Sequence, residues 1–245
     1  MSLIAMTLTV LKRTLATLPA SCPSRRILSL GYPDILASPA SLEQIFGAEV
    51  MRKVGVRADS AQIVRWHSAE GLTSDVVEAE SLFAALGFEL EVLDMARVRG
   101  GEILHDLNEP MPASLHERYA AVIDAGTLEH CFNIAQAATN IASAVALEGF
   151  VMHGNPLNMY NHGFYNLNPT WYHDFYEANG FAVESAHIVV DSISETPRVA
   201  PAPALKRFYG IPDDATLLVI ARRKAVTPMK WPVQSKYRNN PTLGG

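Results

Sequence analysis

Residues 119–133 constrain the fold of this chain more than any other segment. They begin with an apolar run, residues 120–123, short enough to be a strand buried on both faces. Asp124 ends the run, Gly126 allows a tight turn, and a helical pattern follows. The apolar residues of that pattern recur every three or four positions, at Ile134, Ala138, Ile141 and Val145. Because ligands bind at the carboxyl ends of strands in open α/β sheets, a functional site is expected at this turn.

Strands and helices alternate through the middle of the chain. Strands are predicted over residues 27–31, 90–95, 102–105, 120–123 and 150–153, and helices over 75–86, 134–145 and 170–179. This alternation predicts an α/β fold with a mostly parallel, seven-stranded sheet and helices on both faces. The last two strands, 182–190 and 216–221, have no clear helix between them, so they are expected to pair antiparallel at one edge.

Composition narrows the class of protein. The chain has 245 residues, of which 49% are hydrophobic and 18% charged, as in an ordinary soluble protein with one substantial core. A net charge of −5 argues against a nucleic-acid binder that works by neutralising phosphates. Cys22 and Cys131 lie far apart and suggest no disulfide framework, so a cytoplasmic location is the simplest expectation. No apolar run is long enough for a transmembrane segment.

Three regions flank or interrupt this α/β domain, which is predicted to span residues 25–224. Residues 1–24 predict an amphipathic helix rather than a signal peptide, because Lys12 and Arg13 interrupt the apolar run where a signal would be uncharged. Residues 38–69 form an atypical insertion, with a short helix over 42–46 and a strand over 61–66 as the interpretation. Residues 225–245 form a basic tail. The oligomeric state is left open, with homo-oligomerisation among the options.

Several kinds of catalytic site are absent from the sequence. There is no Gly-x-Ser-x-Gly motif, no phosphate-binding Gly-x-x-x-x-Gly-Lys loop and no Gly-x-Gly-x-x-Gly turn. Hydrolase, NTPase and dinucleotide-oxidoreductase functions are therefore poor interpretations. The eight histidines show no His-x-x-x-His or comparable ligand spacing, so no metal site is predicted.

With these motifs excluded, the order of the remaining segments resembles class I S-adenosylmethionine-dependent methyltransferases over residues 26–224. The resemblance rests on a first strand ending at Gly31, a second ending at Asp94, and His-Asp-Leu over residues 105–107. Residues 121–130, Ala-Val-Ile-Asp-Ala-Gly-Thr-Leu-Glu-His, look like the fourth-strand segment of that family. Together with His-Asp-Leu-Asn-Glu-Pro over 105–110, they look nearest to bacterial members, some of which are linked to surface-polysaccharide biosynthesis.

The resemblance implies S-adenosylmethionine as cofactor and assigns residues to it. Asp94 would accept hydrogen bonds from the ribose hydroxyls, and Asp106 with Leu107 would hold the adenine. Gly31, Asp124 and Gly126 would line the methionine side. Both Asp94 and Asp106 have a plainer interpretation as caps of the turns that follow their strands.

One departure from the family concerns the first strand. The family usually carries several glycines there, whereas this chain has Gly31 followed by the bulky Tyr32 and the rigid Pro33. This departure supports an alternative function, that of a non-catalytic protein of the same fold that acts as a binding or scaffold partner.

Three residues are candidates for the chemistry on the acceptor. A neutral imidazole accepts a proton near pH 7, which makes His130 and His162 candidate bases. His162 and Tyr165 lie in a loop, residues 155–169, that is dense in hydrogen-bonding side chains and is expected to cover the acceptor. The predicted function is methyl transfer to an oxygen or nitrogen of a small-molecule or glycan-linked acceptor.

Overall fold

The computed structural model describes residues 2–192, 194 and 196–238. The strands are β1 (Ser2–Ile4), β2 (Arg26–Leu30), β3 (Asp34–Leu36), β4 (Glu89–Asp94), β5 (Ile103–Leu104), β6 (Tyr119–Asp124), β7 (Val145–Asn158), β8 (Phe181–Val190), β9 (Arg198–Pro201) and β10 (Ala215–Arg223). The helices are α1 (Ala5–Ala16), α2 (Pro39–Phe46), α3 (Ala48–Met51), α4 (Ser60–Trp66), α5 (Ala79–Ala85), α6 (Ile134–Ala144), α7 (Pro169–Ala178) and α8 (Ser235–Arg238). Short 3₁₀ helices cover Ala113–Leu115 and Leu128–His130.

The main sheet among the described residues has eight strands in the order β5-β4-β2-β6-β7-β10-β8-β9. The four pairings from β5 to β7 are parallel, and the three pairings from β7 to β9 are antiparallel. The fold is therefore α/β as predicted, but the sheet is mixed and has one strand more than the seven expected. The extra strand, β9, comes from the proline-rich segment after β8, where periodicity gave no signal.

The predicted antiparallel pairing of the last two long strands is confirmed. Thr216 of β10 lies opposite Val189 of β8, and the pairing runs to Arg223. The pair is not at the edge of the sheet, because β10 is inserted between β7 and β8 and β9 covers the outer side of β8. The two-residue alternation of β8 and β10 sets their faces but does not reveal this order.

Two hydrophobic cores lie on opposite faces of the sheet. All six residues of β6 are buried, with Val122 in the core under α6 and α7 and with Ala121 and Ile123 in the core under α1, α2 and α5. Burial on both faces explains the continuous apolar run of this strand. Helix α1 lies within the predicted N-terminal helical segment and buries Leu8, Leu11 and Leu15.

The region between β3 and β4 differs most from the sequence interpretation. The strand predicted over 61–66 is wrong, because this segment belongs to helix α4, which buries Ser60, Ile63 and Val64 at helical spacing. Helix α5 begins at Ala79, later than predicted, because Val77 forms an antiparallel bridge with Val56 and the carbonyl of Val76 accepts from the N–H of Arg57 at 2.8 Å. In the described part of the chain, no helix is both long enough and apolar enough to cross a membrane. Residues 239–245 of the predicted tail lie outside the described residues.

Candidate functional site

The carboxyl ends of β2, β4 and β6 form the edge where the predicted site residues lie. Strands β4 and β5, which follow β2 in the chain, lie on one side of β2 in the sheet. The next strands, β6 and β7, lie on its other side, so the strand order reverses between β2 and β6. Such a reversal leaves a crevice between the two central strands, and ligands of open α/β sheets bind there. Gly31 follows β2 directly, in a left-handed conformation with φ of 85°, and its N–H donates to the carbonyl of Leu93 at 2.8 Å.

Asp94 is the last residue of β4, and Asp106 lies two residues after the neighbouring strand β5. The Oδ1 atom of Asp94 accepts from the N–H of Ala96 at 3.1 Å. The Oδ1 atom of Asp106 accepts from the backbone N–H of Asn108 at 2.9 Å and from its side chain at 2.8 Å, and these bonds lower the pKa of Asp106. Each carboxylate thus caps its own turn, while its Oδ2 has no hydrogen bond to any described residue. Leu107 is buried beside them, and its carbonyl accepts from Asn140 at 3.0 Å.

Asp124 is fully buried at the carboxyl end of β6. Its Oδ1 accepts from the N–H groups of Thr127 and Leu128 at 3.0 and 3.1 Å, which fixes the turn around Gly126. Its Oδ2 accepts from His153 at 2.6 Å and from Asn155 at 3.0 Å. Burial raises the pKa of Asp124, but these hydrogen bonds and the neighbouring imidazole outweigh it and leave the pKa below its usual range.

The partners of Asp124 come from β7 and α7. His153 is paired directly with Asp124 in the parallel register, and Asn155 lies two residues further along, on the same face of β7. The other nitrogen of His153 lies 2.6 Å from the hydroxyl of Tyr176, and the hydroxyl of Tyr172 donates to the side-chain carbonyl of Asn155. Tyr172 and Tyr176 are one helical turn apart on α7, so both lie on the face of that helix that packs against His153 and Asn155.

Glu129 extends this network toward the half-exposed side chains of His130 and His162. Its side chain is only 1% exposed, and its Oε2 accepts from the amide of Asn155 at 2.9 Å. Its Oε1 has no hydrogen-bond partner among the described residues. Burial, followed by the negative charge of Asp124, raises the pKa of Glu129 to about 7. A carboxyl group with this pKa and a free oxygen is unusual for a residue with only a structural role.

Two histidines flank the free oxygen of Glu129. The Nε2 atoms of His162 and His130 lie 3.5 and 3.8 Å from Oε1, and the two rings are 5.2 Å apart. Both histidine side chains are about half exposed. Burial, with a contribution from the neighbouring His162, lowers the pKa of His130, which favours its neutral form near pH 7.

The predicted acceptor loop is anchored on Glu129. The N–H of Phe164 donates to the carbonyl of Glu129 at 2.9 Å. Gly163 lies so close that an added Cβ would be 2.9 Å from the same carbonyl oxygen. The loop therefore lies on the carboxyl edge of the sheet, where a lid over the crevice is expected. Tyr165 is set apart from the histidines, and its hydroxyl donates to the carbonyl of Phe132 at 2.9 Å.

Tyr32 occupies the position where the resembled family has further glycines. Its hydroxyl donates to Glu78 at 2.5 Å, and the Arg99 guanidinium lies 3.9 Å above its ring. Burial and the bond to Glu78 raise the pKa of Tyr32. The ring packs against the core under α1, α2 and α5. These contacts fix the ring in a defined position beside Gly31.

The structure brings some predicted residues together and adds others. Asp124, Gly126, His130 and His162 meet around Glu129, and an added Cβ on Gly126 would be 3.4 Å from its Oε1. Glu129 lies in the segment where a functional site was expected, but it was not among the residues assigned to the cofactor or the acceptor. His153 and Asn155 were not among the assigned residues either. What marks these three residues is that they are polar and buried. Their burial results from the packing of β7, α7 and the loop, which the sequence pattern does not report.

No protein-family model matches this sequence, and no curated protein matches it either. Among solved structures, the CMeT domain of the citrinin polyketide synthase is similar with a TM-score of 0.46 and 9% identity, over 91% of this chain and 52% of that one. The DszA carbon methyltransferase is similar with a TM-score of 0.45 and 12% identity, over 91% of this chain and 53% of that one. A mutant of the 16S rRNA (adenine(1408)-N(1))-methyltransferase from Catenulisporales acidiphilia has a TM-score of 0.38 and 10% identity, over 89% of this chain and 94% of that one.

The chain spans about half the length of the first two of these structures. Similarity at this level does not assign a family or a function, so function is inferred from the geometry of this chain. The expectation of no nucleic-acid substrate stays a prediction that rests on the net charge of −5.

Proposed function

We propose that this protein transfers the methyl group of S-adenosylmethionine to an oxygen or nitrogen of a small-molecule or glycan-linked acceptor. The observation that carries this proposal is the free oxygen of buried Glu129 between His130 and His162, at the strand end beside the reversal of strand order. A buried acidic group with two imidazoles at such a crevice supports proton transfer from a bound acceptor. The glycan-linked acceptor and a role in polysaccharide biosynthesis rest on the sequence resemblance alone, and a cytoplasmic location stays a prediction.

The residues at the ends of β2, β4 and β5 fit the cofactor. The free Oδ2 of Asp94 can accept from ribose hydroxyls, and that of Asp106 can accept from the adenine amine. Gly31 and Gly126 have left-handed backbones and no side chains, which lets a ligand approach the turns after β2 and β6 closely. When bound, S-adenosylmethionine supplies a methyl group on a sulfonium that is already a good leaving group.

The acceptor side needs positioning and one proton acceptor. The loop that carries His162 would hold the acceptor in line with the methyl group, and positioning supplies much of the rate in such a reaction. His130 or His162 would take the acceptor proton. Glu129, whose Oε1 lies 3.8 Å from His130 Nε2 and 3.5 Å from His162 Nε2, would stabilise the imidazolium that forms.

One observation favours the alternative of a non-catalytic protein of the same fold. Tyr32 is held by Glu78 and Arg99 at the turn where the resembled family leaves room for its cofactor. If the ring closes the crevice, the protein binds no cofactor and acts as a binding or scaffold partner.

Calorimetric titration with S-adenosylhomocysteine decides between these functions. We expect one-site binding by the wild type, weakened about tenfold to a hundredfold in Asp94→Ala and in Asp106→Ala, because each loses a hydrogen bond of a charged group. Glu49→Ala removes a side chain that is 92% exposed and serves as the control with unchanged affinity. Absence of binding by the wild type would favour the scaffold function, and equal affinities in all four proteins would refute the proposed roles of both aspartates.

A further inference from the structure

The same three side chains that flank the crevice also have the arrangement of metal ligands. One carboxylate oxygen of Glu129 and one ring nitrogen each of His130 and His162 lie within 4.8 Å of one another. We propose that Glu129, His130 and His162 bind a divalent transition-metal ion of the zinc class. This inference deepens the proposed function, on which its catalytic part rests, by adding a metal to the acceptor side of the crevice.

The distances are close to those of a formed site. Ligand atoms about 2.0–2.1 Å from a tetrahedral metal are roughly 3.3 Å from one another. The Glu129 oxygen lies 3.5 Å from His162 Nε2 and 3.8 Å from His130 Nε2. Both histidines are about half exposed, so their side chains have room to rotate toward the carboxylate oxygen.

The carboxylate is held in place and lacks another partner. Its side chain is 1% exposed, and the amide of Asn155 fixes Oε2 at 2.9 Å. This leaves Oε1, which has no hydrogen bond within the described part of the chain, directed toward the two imidazoles. A buried polar atom without a partner is destabilising, and a metal ion would satisfy it. In metal sites, carboxylate ligands are usually held in orientation by hydrogen bonds from residues that do not bind the metal, and the bond from Asn155 would have this role here.

The backbone brings the third ligand to this position. His130 adjoins Glu129 in a 3₁₀ turn, whereas His162 arrives from the loop after β7. That loop is fixed by the Phe164 N–H on the carbonyl of Glu129 and by the close packing of Gly163. The site therefore joins two segments that lie about thirty residues apart, which is why histidine spacing in the sequence gave no metal signal.

The ligand types select the metal. Two imidazoles and one carboxylate suit zinc and related transition metals, whereas magnesium and calcium prefer oxygen ligands. Three protein ligands leave one coordination position open, which is typical of catalytic rather than structural zinc. Within the proposed function, the metal would bind an acceptor hydroxyl at that position and lower its pKa, so that its proton passes to solvent water. The histidines would then act as ligands instead of bases.

Calorimetric titration of the chelator-treated full chain with Zn²⁺ tests this inference, with Co²⁺ absorption as a second readout of coordination. We expect one ion per chain, and at least about tenfold weaker binding in each of His130→Ala, His162→Ala and Glu129→Gln. His173→Ala is a matched control, because His173 also lies near two carboxylates, those of Asp174 at 3.0 Å and Glu177 at 3.1 Å. Its binding should equal that of the wild type. Circular dichroism verifies that each variant is folded.

Two results would overturn the metal site: no Zn²⁺ binding by the wild type, or the same affinity in the wild type and the three ligand variants. S-adenosylhomocysteine titrated into the same preparations separates this inference from the proposed function. Binding of the nucleoside without Zn²⁺ binding contradicts the metal site and leaves methyl transfer standing. Zn²⁺ binding that depends on the three ligands, without nucleoside binding, supports the metal site and contradicts methyl transfer.

Discussion

Replacement of Glu129 by glutamine should change how the stability of the protein depends on pH. The pKa of Glu129 is raised from an ordinary value of 4.5 to about 7, first by burial and then by the charge of Asp124. The folded state therefore binds the Glu129 proton more tightly than the unfolded state does. This contribution to stability is fully present below pH 4.5 and is lost as the pH rises through 7. A shift of this size corresponds to about 3 kcal/mol.

Glutamine has nearly the same shape and carries no charge at any of these pH values. Its amide oxygen can accept from Asn155 as Oε2 does, and its amide nitrogen can donate toward the ring nitrogens of His130 and His162. The free energy of unfolding of Glu129→Gln, relative to that of the wild type, should therefore increase by about 3 kcal/mol between about pH 4.5 and pH 8.

Urea denaturation between pH 4.5 and pH 8, in the presence of a chelator, measures this difference. Glu49→Gln is the control, because that side chain is 92% exposed and its variant should follow the wild type at every pH. If the two curves for Glu129→Gln and the wild type stay parallel across the range, the carboxyl group is not held protonated by burial. The electrostatic description of the site would then be wrong.

Three further predictions test other parts of the site. Asp124→Ala should lower the free energy of unfolding by on the order of 3–5 kcal/mol, because it leaves His153, Asn155 and two backbone N–H groups without their acceptor. Urea denaturation measures this loss, and a value below about 1 kcal/mol would contradict the buried network. Gly163→Ala should lower it by about 1–3 kcal/mol, because the new Cβ would be 2.9 Å from the Glu129 carbonyl oxygen, and an unchanged melting temperature would show that the loop is not anchored there. His162→Ala should lower methyl-transfer turnover while leaving S-adenosylhomocysteine affinity within about twofold, and an equal loss in both would place the residue on the cofactor instead.

The sequence predicted the central part of the fold because local pattern and burial agree there. The run in β6 is apolar because both faces of the strand are covered, and the period of α6 follows its one buried face. The insertion was harder to predict, because helix α4 has only about two turns. Its three buried residues, Ser60, Ile63 and Val64, are too few to show a clear helical period. The position of β10 between β7 and β8 depends on contacts between distant segments, which periodicity does not report.

The candidate site divides in the same way. Asp94, Asp106 and Asp124 could be placed at strand ends, because Asp94 and Asp124 directly follow apolar residues and Asp106 lies two residues after Leu104. The role of Glu129 could not be foreseen, because its burial depends on Asn155 from β7 and on a loop that folds back over it. The same holds for His153, whose partners are a carboxylate on β6 and a tyrosine on α7.

A crystal structure of the protein grown with S-adenosylhomocysteine tests the proposed function most directly. We expect the nucleoside at the carboxyl ends of β2, β4 and β5, with its ribose on Asp94 and its adenine on Asp106. The homocysteine sulfur should lie on the side of Gly126 that faces His130 and His162. Density for the ligand at any other place, or an unoccupied crevice closed by Tyr32 at saturating ligand concentration, would contradict methyl transfer at this site.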